Sequence, residues 1–337
     1  MGHNGAIECV TSVHEKVVCV RQRSSSSLEA SQTREAPEPL HPHKGKRSTV
    51  NAYIALTKPR IIELLLTTTI PTVILAAGGW PSWRVLIACI VFGYLASGSA
   101  NAYNMVLDRD IDAVMNRTKQ RPLVTGEISP RAATIFATTI GIISIAGFVL
   151  VTNWLAGLLA AVAILLYVVL YTIILKRRTD QNIVWGGLAG CMPVPIAWAA
   201  QTGSLDWPAL ILFLVIFFWT PPHYWPLSMK FAKDYRRAGV PMLGAVADDV
   251  TVGKRVIIYG AVTVAVSLAL IPVAPMGWFY SAAAIAAGAW FMWSCIDLYR
   301  HAKNPELGKP KAMKVFHGSI YYLSILFIAV AIDPFLV

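Results

Sequence analysis

Asn101-Ala-Tyr-Asn-Met-Val-Leu-Asp-Arg-Asp-Ile-Asp112 closes an apolar run that begins near residue 85. Read as a helix, the stretch stacks Asn104, Asp108 and Asp112 on one face, because side chains four residues apart lie one above the other. The run is long enough to cross a bilayer, so the carboxylates lie where a membrane helix meets its polar boundary. Acids in such a place need a partner or a task, the more so at a helix C-terminus, whose dipole end is negative. Arg117, Lys119 and Arg121 follow at once. Paired carboxylates beside a basic cluster suit a divalent cation that carries a polyphosphate. Mg²⁺ in particular takes one or two carboxylates and fills its shell with phosphate oxygens. Asp108 and Asp112 are therefore expected to hold Mg²⁺, with Asn104 offering an oxygen or amide one turn deeper. Asp110 lies on another face and is expected to pair with Arg109 or Arg117. The competing reading is a salt-bridged helix end without a ligand.

The 337 residues are 56% hydrophobic and only 14% charged, against about 25% charged in soluble domains. Mean hydropathy is +0.56. These values speak against a soluble enzyme core. Apolar runs fall near 62–80, 85–107, 132–150, 154–174, 184–203, 208–227, 256–276, 278–298 and 316–335, each near the roughly 20 residues that cross the hydrocarbon layer. They predict an all-α polytopic membrane protein with nine transmembrane helices. The net charge is +11, but the basic residues sit in short segments between the runs, with no stripe suited to nucleic acid. They gather on one side: Lys58 and Arg60, the 108–131 segment, Lys176-Arg-Arg178, and the 228–255 and 299–315 segments. The opposite loops hold only Arg84. The positive-inside rule then puts the N-terminus in the cytoplasm and the C-terminus outside. The long segments are all inside, so the chemistry is expected at the cytoplasmic end.

Residues 1–48 read as a disordered cytoplasmic tail, leaving 49–337 as the membrane domain. No secretory h-region is present, and five glutamates between Glu8 and Glu38 weigh against a mitochondrial transit peptide. The short chain favours a bacterial inner membrane over a mitochondrial one. Cysteines at 9, 19, 89, 191 and 295 lack metal or redox spacing, and Cys89, Cys191 and Cys295 read as small buried hydrophobes.

Further candidates lie near the inside face. Arg117 and Arg121 can clamp phosphate oxygens, since a guanidinium presents a matching fork. Lys176, Arg177 and Arg178 either join them or only set topology. Pro221-Pro222 should break or kink the sixth run. Beyond it, Lys230 and Asp234 share a face, as do Lys233 and Arg237. His223 could ligate iron, accept a proton or bond a porphyrin propionate, or be structural. Glu63 needs a partner, which Lys58 or Arg60 can supply. Gly93, Gly98, Gly186-Gly187, Gly190, Pro193 and Pro195 interrupt several runs, either for close packing or to make room for a ligand.

Several blocks resemble the intramembrane prenyltransferase superfamily, and within it the heme-farnesylating branch. They are Leu56-Thr-Lys-Pro-Arg-Ile61, Asn104 through Asp112, Asn116-Arg-Thr-Lys-Gln-Arg-Pro122, Tyr171-Thr through Thr179 with Gln181-Asn182, Pro221-Pro-His-Tyr-Trp225, and Asp234-Tyr through Leu243. The likeness covers about residues 50–335. It implies nine helices around a central cavity, and Mg²⁺-diphosphate binding at Asn104, Asp108 and Asp112. Arg117, Arg121 and Lys176 would share the catalytic work. Lys58, Arg60, Arg177, His223, Lys230, Lys233 and Asp234 would bind the substrates, farnesyl diphosphate and protoheme IX. Membrane lipid, and a heme A synthase or terminal-oxidase assembly protein, are the implied neighbours. The relatives' second aspartate-rich motif is replaced here by the segment with Lys230, Lys233 and Asp234, as in the heme branch. Gly190-Cys-Met-Pro-Val-Pro195 and Gly244 depart from that branch's pattern. Two other functions fit parts of the pattern: a prenyltransferase with a quinone or other aromatic acceptor, and a transporter, whose polar residues would not crowd at one face. A heme-binding assembly factor without catalysis is a further reading.

Overall fold

The computed structural model describes residues 47–274 and 276–336, without the side chains of Arg60, Ile61, Glu63 and Leu64. The tail expected before residue 47 lies outside the described residues. All regular structure among these residues is helical.

A short helix, α1 (Thr49–Thr57), leads into α2 (Pro59–Ala77) through Lys58. Lys58 has φ 55° and ψ 63°, and no other non-glycine among the described residues has positive φ. This left-handed conformation is costly for a residue with a Cβ. It turns the chain so that α2 can start on Pro59, whose fixed φ suits a first helical position. Gly78, at φ 62°, ends α2 with the left-handed cap that glycine adopts without steric cost. Next come α3 (Trp83–Leu107) and the short α4 (Arg109–Val114). Asp108 joins them at φ −96°, ψ 10°. The hydrogen-bond ladder nevertheless continues, with Asp108 N–H to Asn104 O at 2.9 Å and Asp112 N–H to Asp108 O at 2.8 Å. The three polar side chains therefore stay in register across the joint.

Helices α5 (Pro130–Val151) and α6 (Trp154–Leu165) follow. α5 packs closely on α3. Ser99 and Ser144 donate across the interface to Ala137 O (2.8 Å) and Phe92 O (2.7 Å), and a Cβ at Gly147 would lie 2.2 Å from the Phe92 ring. α6 runs without interruption into ten residues of π-helix, Leu166–Leu175. The next expected run is two helices, α7 (Asn182–Cys191) and α8 (Pro193–Thr202), divided at Met192 before Pro193, as its prolines suggested. In contrast, α9 (Trp207–Lys230) is one continuous helix through Pro221, Pro222 and Pro226. The expected proline break does not occur there, since a helix buried among neighbours can have its freed carbonyls satisfied locally. The interruption comes at Phe231 (φ −104°, ψ 20°), ahead of α10 (Ala232–Arg237) and α11 (Leu243–Val246). Lys230 and Asp234 thus lie on opposite sides of a break and share no continuous helical face. The chain ends with α12 (Asp249–Val273), α13 (Trp278–Lys303) and α14 (Ala312–Ile332).

Among the described residues, eight helical segments are long and apolar enough to cross a membrane, and α2 adds a shorter apolar stretch, Leu65–Ala77. The chain is an all-α polytopic membrane protein. Trp80, Trp83, Trp154, Trp207 and Trp278 are all strongly exposed. They lie at the helix junctions of one end, the end opposite the basic segments, as interfacial tryptophans do. Cys89, Cys191 and Cys295 are free and buried, as expected.

The cap after α9 is anchored by one close approach. Gly244 N–H donates to Ser228 Oγ at 3.1 Å, and a Cβ on Gly244 would meet Met229 N at 2.5 Å. Gly244→Ala is therefore expected to push α11 off α9 and to destabilise the protein by about 1–3 kcal/mol. The readout is a lower thermal unfolding midpoint in detergent; an unchanged midpoint would show that the two helices separate freely.

Candidate active site

Asn104, Asp108 and Asp112 are 3%, 0% and 2% exposed. Burying two carboxylates at a membrane boundary demands compensation, and it comes both from the segment that follows and from elements distant in sequence. Lys58 Nζ donates to Asn104 Oδ1 at 2.7 Å, which leaves the Asn104 amide to bond Asp108 Oδ2 (2.6 Å) and Thr172 Oγ1 (3.1 Å). Lys176 Nζ forms a short ion pair with Asp108 Oδ2. Arg121 Nη1 lies 2.6 Å from Asp112 Oδ2. Thr118, in the same segment, donates its hydroxyl to Asp112 O at 3.0 Å. Burial and the neighbouring charges of Arg121 and Lys176 hold the Lys58 amine well below its ordinary pKa.

The π-helix places Lys176. Thr172 Oγ1 donates to Tyr167 O (2.8 Å), and Lys176 N–H to Tyr171 O (2.9 Å), both five residues back. That register stacks Thr172 over Tyr167 and Lys176 over Tyr171, so the hydroxyl and the ammonium both reach the Asn104–Asp108 pair. Arg177 takes a different partner from the one expected for Asp110. Its guanidinium grips Asp110 with two bonds of 2.7 Å, donates to Leu107 O at 3.1 Å, and stands 3.8 Å from Asp108 Oδ1. Neither Arg109 nor Arg117 pairs with Asp110, because the turn at Asp108 aims Asp110 at the end of the π-helix. Arg177 holds the Asp110 carboxyl at about pKa 2.

Arg117 lies elsewhere. It donates to Tyr235 OH at 2.9 Å and covers the Phe231 and Tyr235 rings. Asn116 donates to Asp234 Oδ1 at 3.3 Å, and Arg237 is 4.0 Å from the same carboxylate. These contacts tie the 115–129 segment to α10. Lys230 and Lys233 are exposed, with Lys230 Nζ 5.6 Å from the Phe231 ring centre. Arg60 lies outside the described side chains. Thr172, Thr118, Tyr235 and Ser319 were not among the candidates; a hydroxyl in or beside an apolar run carries no signal until its partner is seen.

Beneath this network lies a cavity of about 1480 Å³, mouth included. Asn101, Tyr167, Tyr171, His223 and Tyr224 line its polar end, and the remaining walls are mostly apolar. Neither Asp108 nor Asp112 is on the wall; Asn101, two turns before Asp108 on α3, is the lining residue nearest them in sequence. His223 is sandwiched between Trp219 (4.3 Å between centroids) and Phe316 (4.6 Å). Its Nδ1 is 2.8 Å from Ser319 Oγ, whose own proton goes to Phe316 O at 2.7 Å. Nδ1 must therefore be the donor, so the neutral ring keeps its lone pair on Nε2. Such a ring accepts a proton or ligates a metal.

The residues also fit a divalent cation. Asp108 Oδ1 is buried and makes no hydrogen bond among the described residues. Hard carboxylate oxygens are what Mg²⁺ prefers, and no group of three or more His, Cys, Asp or Glu among the described residues forms an all-protein cage.

The UbiA prenyltransferase family model matches residues 65–320. The chain belongs to the UbiA family. Similar curated proteins are the protoheme IX farnesyltransferases of Paenarthrobacter aurescens (strain TC1), 56% identical over 84% of this chain and 89% of the relative, and of Leifsonia xyli subsp. xyli, 57% identical over 87% and 94%. That of Streptomyces avermitilis is 56% identical over 85% and 94%. Among solved structures, a digeranylgeranylglyceryl phosphate synthase matches with a TM-score of 0.71 at 16% identity, over 86% of this chain and 99% of the other. A UbiA homolog from Archaeoglobus fulgidus bound to GPP and Mg²⁺ gives 0.57 at 15% identity, over 83% and 99%. At that identity the likeness is one of UbiA fold.

Two outcomes follow from the ion pairs. Lys176→Met strands the fully buried Asp108 and should cost about 3–5 kcal/mol. Adding Asp108→Asn should recover part of that loss in a double-mutant cycle of unfolding midpoints. For Asp110 the folded pKa is depressed from 3.8 to about 2. The stabilisation from the Arg177–Asp110 pair is thus complete above about pH 4 and lost as pH falls through about 2. Carboxyl chemical shifts of labelled Asp110 should show no titration between pH 7 and 4.

Proposed function

We infer that this chain transfers the farnesyl group of farnesyl diphosphate to a vinyl group of protoheme IX, giving heme O. The carrying observation is the 54–57% identity to protoheme IX farnesyltransferases over 84–87% of the chain, a span that includes the buried carboxylate–cation network. The assigned roles are our reading of that network. Asp108 and Asp112, with Asn104, would hold Mg²⁺. When bound, Mg²⁺ supplies positive charge to the departing diphosphate. Lys176 and Arg121, already turned to the carboxylates, give up part of those contacts to phosphate oxygens, and Lys58, Arg60 and Arg177 add charge around them. Arg117, Lys230, Lys233 and Asp234 act from the cap, closing it over the diphosphate.

The chemistry follows from that polarity. The C1–O bond of farnesyl diphosphate breaks, and the electron pair leaves with diphosphate. The allylic carbon is attacked by the terminal vinyl carbon, which leaves positive charge on the vinyl carbon next to the porphyrin ring. Water adds there and loses a proton, which His223 Nε2 is suited to accept. The apolar walls keep water from the allylic carbon before the new bond forms. Heme is a substrate here, and its product serves terminal-oxidase assembly, where a heme A synthase or an oxidase assembly factor would receive it.

The proposed setting is a bacterial inner membrane, with α2 completing nine spans, residues 1–48 in the cytoplasm, and 49–337 as one domain among membrane lipids. Purified protein should form heme O from farnesyl diphosphate and heme b, and EDTA should stop the reaction until Mg²⁺ is restored. Asp108→Asn and Asp112→Asn should each lower kcat by about 100-fold or more, while the heme absorbance titration stays as in wild type. Undiminished turnover in both variants would refute the roles given to these acids. Product on a quinone but not on heme would refute the acceptor.

A further inference from the structure

Two glycines in the cavity wall have no packing reason to be glycine. Gly147 and Gly186 are fixed by their neighbours: a Cβ there would come within 2.2 Å of the Phe92 ring or 2.3 Å of the Tyr171 ring. Gly93, in α3, and Gly190, in α7, line the cavity, as Gly186 does, yet a Cβ on either meets nothing within 4 Å. Neither has positive φ, so the backbone does not require glycine either. A mid-helix glycine costs helix stability. What both positions provide is empty space inside the cavity.

Their depth says which substrate uses that space. Gly93 is eleven residues from Asn104 along α3, roughly 16 Å at helical rise. That is the scale of an extended chain of three isoprene units whose diphosphate sits at Asn104 and Asp108. One helical turn deeper, Cys89 narrows the compartment, and Ile196 of α8 faces the same cavity; both are buried. We propose that Gly93 and Gly190 set the length of prenyl chain the enzyme accepts, keeping open the compartment for the third isoprene unit, with Cys89 and Ile196 as its floor. The proposal rests on the farnesyl-transfer reading above.

The test uses full-length wild type, Gly93→Leu, Gly190→Leu and Ile196→Ala, each given heme b, Mg²⁺ and geranyl, farnesyl or geranylgeranyl diphosphate. Both leucine variants should lower the farnesyl-to-geranyl ratio of kcat/KM by about tenfold or more, given what a few methylenes are worth in an apolar pocket. Ile196→Ala should raise the geranylgeranyl-to-farnesyl ratio. Unchanged ratios in all three variants, or a shift in KM for heme b in place of the ratios, would overturn the proposal and give the glycines to the porphyrin. If a leucine variant fails to fold, Ile196→Ala decides alone. Dissociation constants of the three diphosphates, measured without heme, must follow the same order. That measurement separates a failure of the chain-length assignment from a failure of the heme-acceptor reading.

Discussion

Two carboxylates buried at the edge of a membrane set the terms for this molecule. Asp108 is fully buried and Asp112 nearly so, and an uncompensated charge there would cost several kcal/mol. The compensating cations belong to three separate places: the α1–α2 joint, the end of the π-helix and the segment after α4. Arg121 comes from nearby in the chain, but Lys58 and Lys176 reach the site only once the α1–α2 joint, α3 and the π-helix have come together. The ion pairs that permit the buried acids are therefore also a condition on how the helices assemble, and the polar site and the bundle form as one.

The network and the cavity divide the work. The charged end offers fixed cations and a carboxylate oxygen that accepts no hydrogen bond. The apolar end offers volume. Between them stand Tyr167, Tyr171 and Tyr224 and the stacked His223, groups with a polar tip and a flat face. The caps at the end that carries the basic segments are joined by Arg117 with Tyr235 and by Asn116 with Asp234. The 115–129 segment and α10 are thereby linked over a site that neither could cover alone.

Much of this was legible in the chain. Spacing four residues apart gave the stacked Asn104, Asp108 and Asp112, and a ladder that continues through the joint preserved it. Apolar runs located the helices, and Pro193 located the break between α7 and α8. The failures share a cause: they depended on a partner from another helix. Pro221 and Pro222 were expected to interrupt α9, since local rules see only a missing N–H, yet a buried helix carries them through. Asp110 was assigned a neighbour in sequence, but its partner is Arg177, sixty-seven residues on. The left-handed Lys58 and the His223 tautomer left no trace in sequence, because both arise from how chain segments meet.

The ten residues of π-helix before Lys176 carry a consequence for the history of this sequence. A wide-turn segment accommodates a residue that an ordinary helix of the same length would have to expel. Removing any one position between Leu166 and Leu175 would let the coil rewind to its tighter form and swing the following ammonium away from Asp108. This stretch is thus closed to single-codon deletion, even at Val169 and Ile173, whose side chains are exposed.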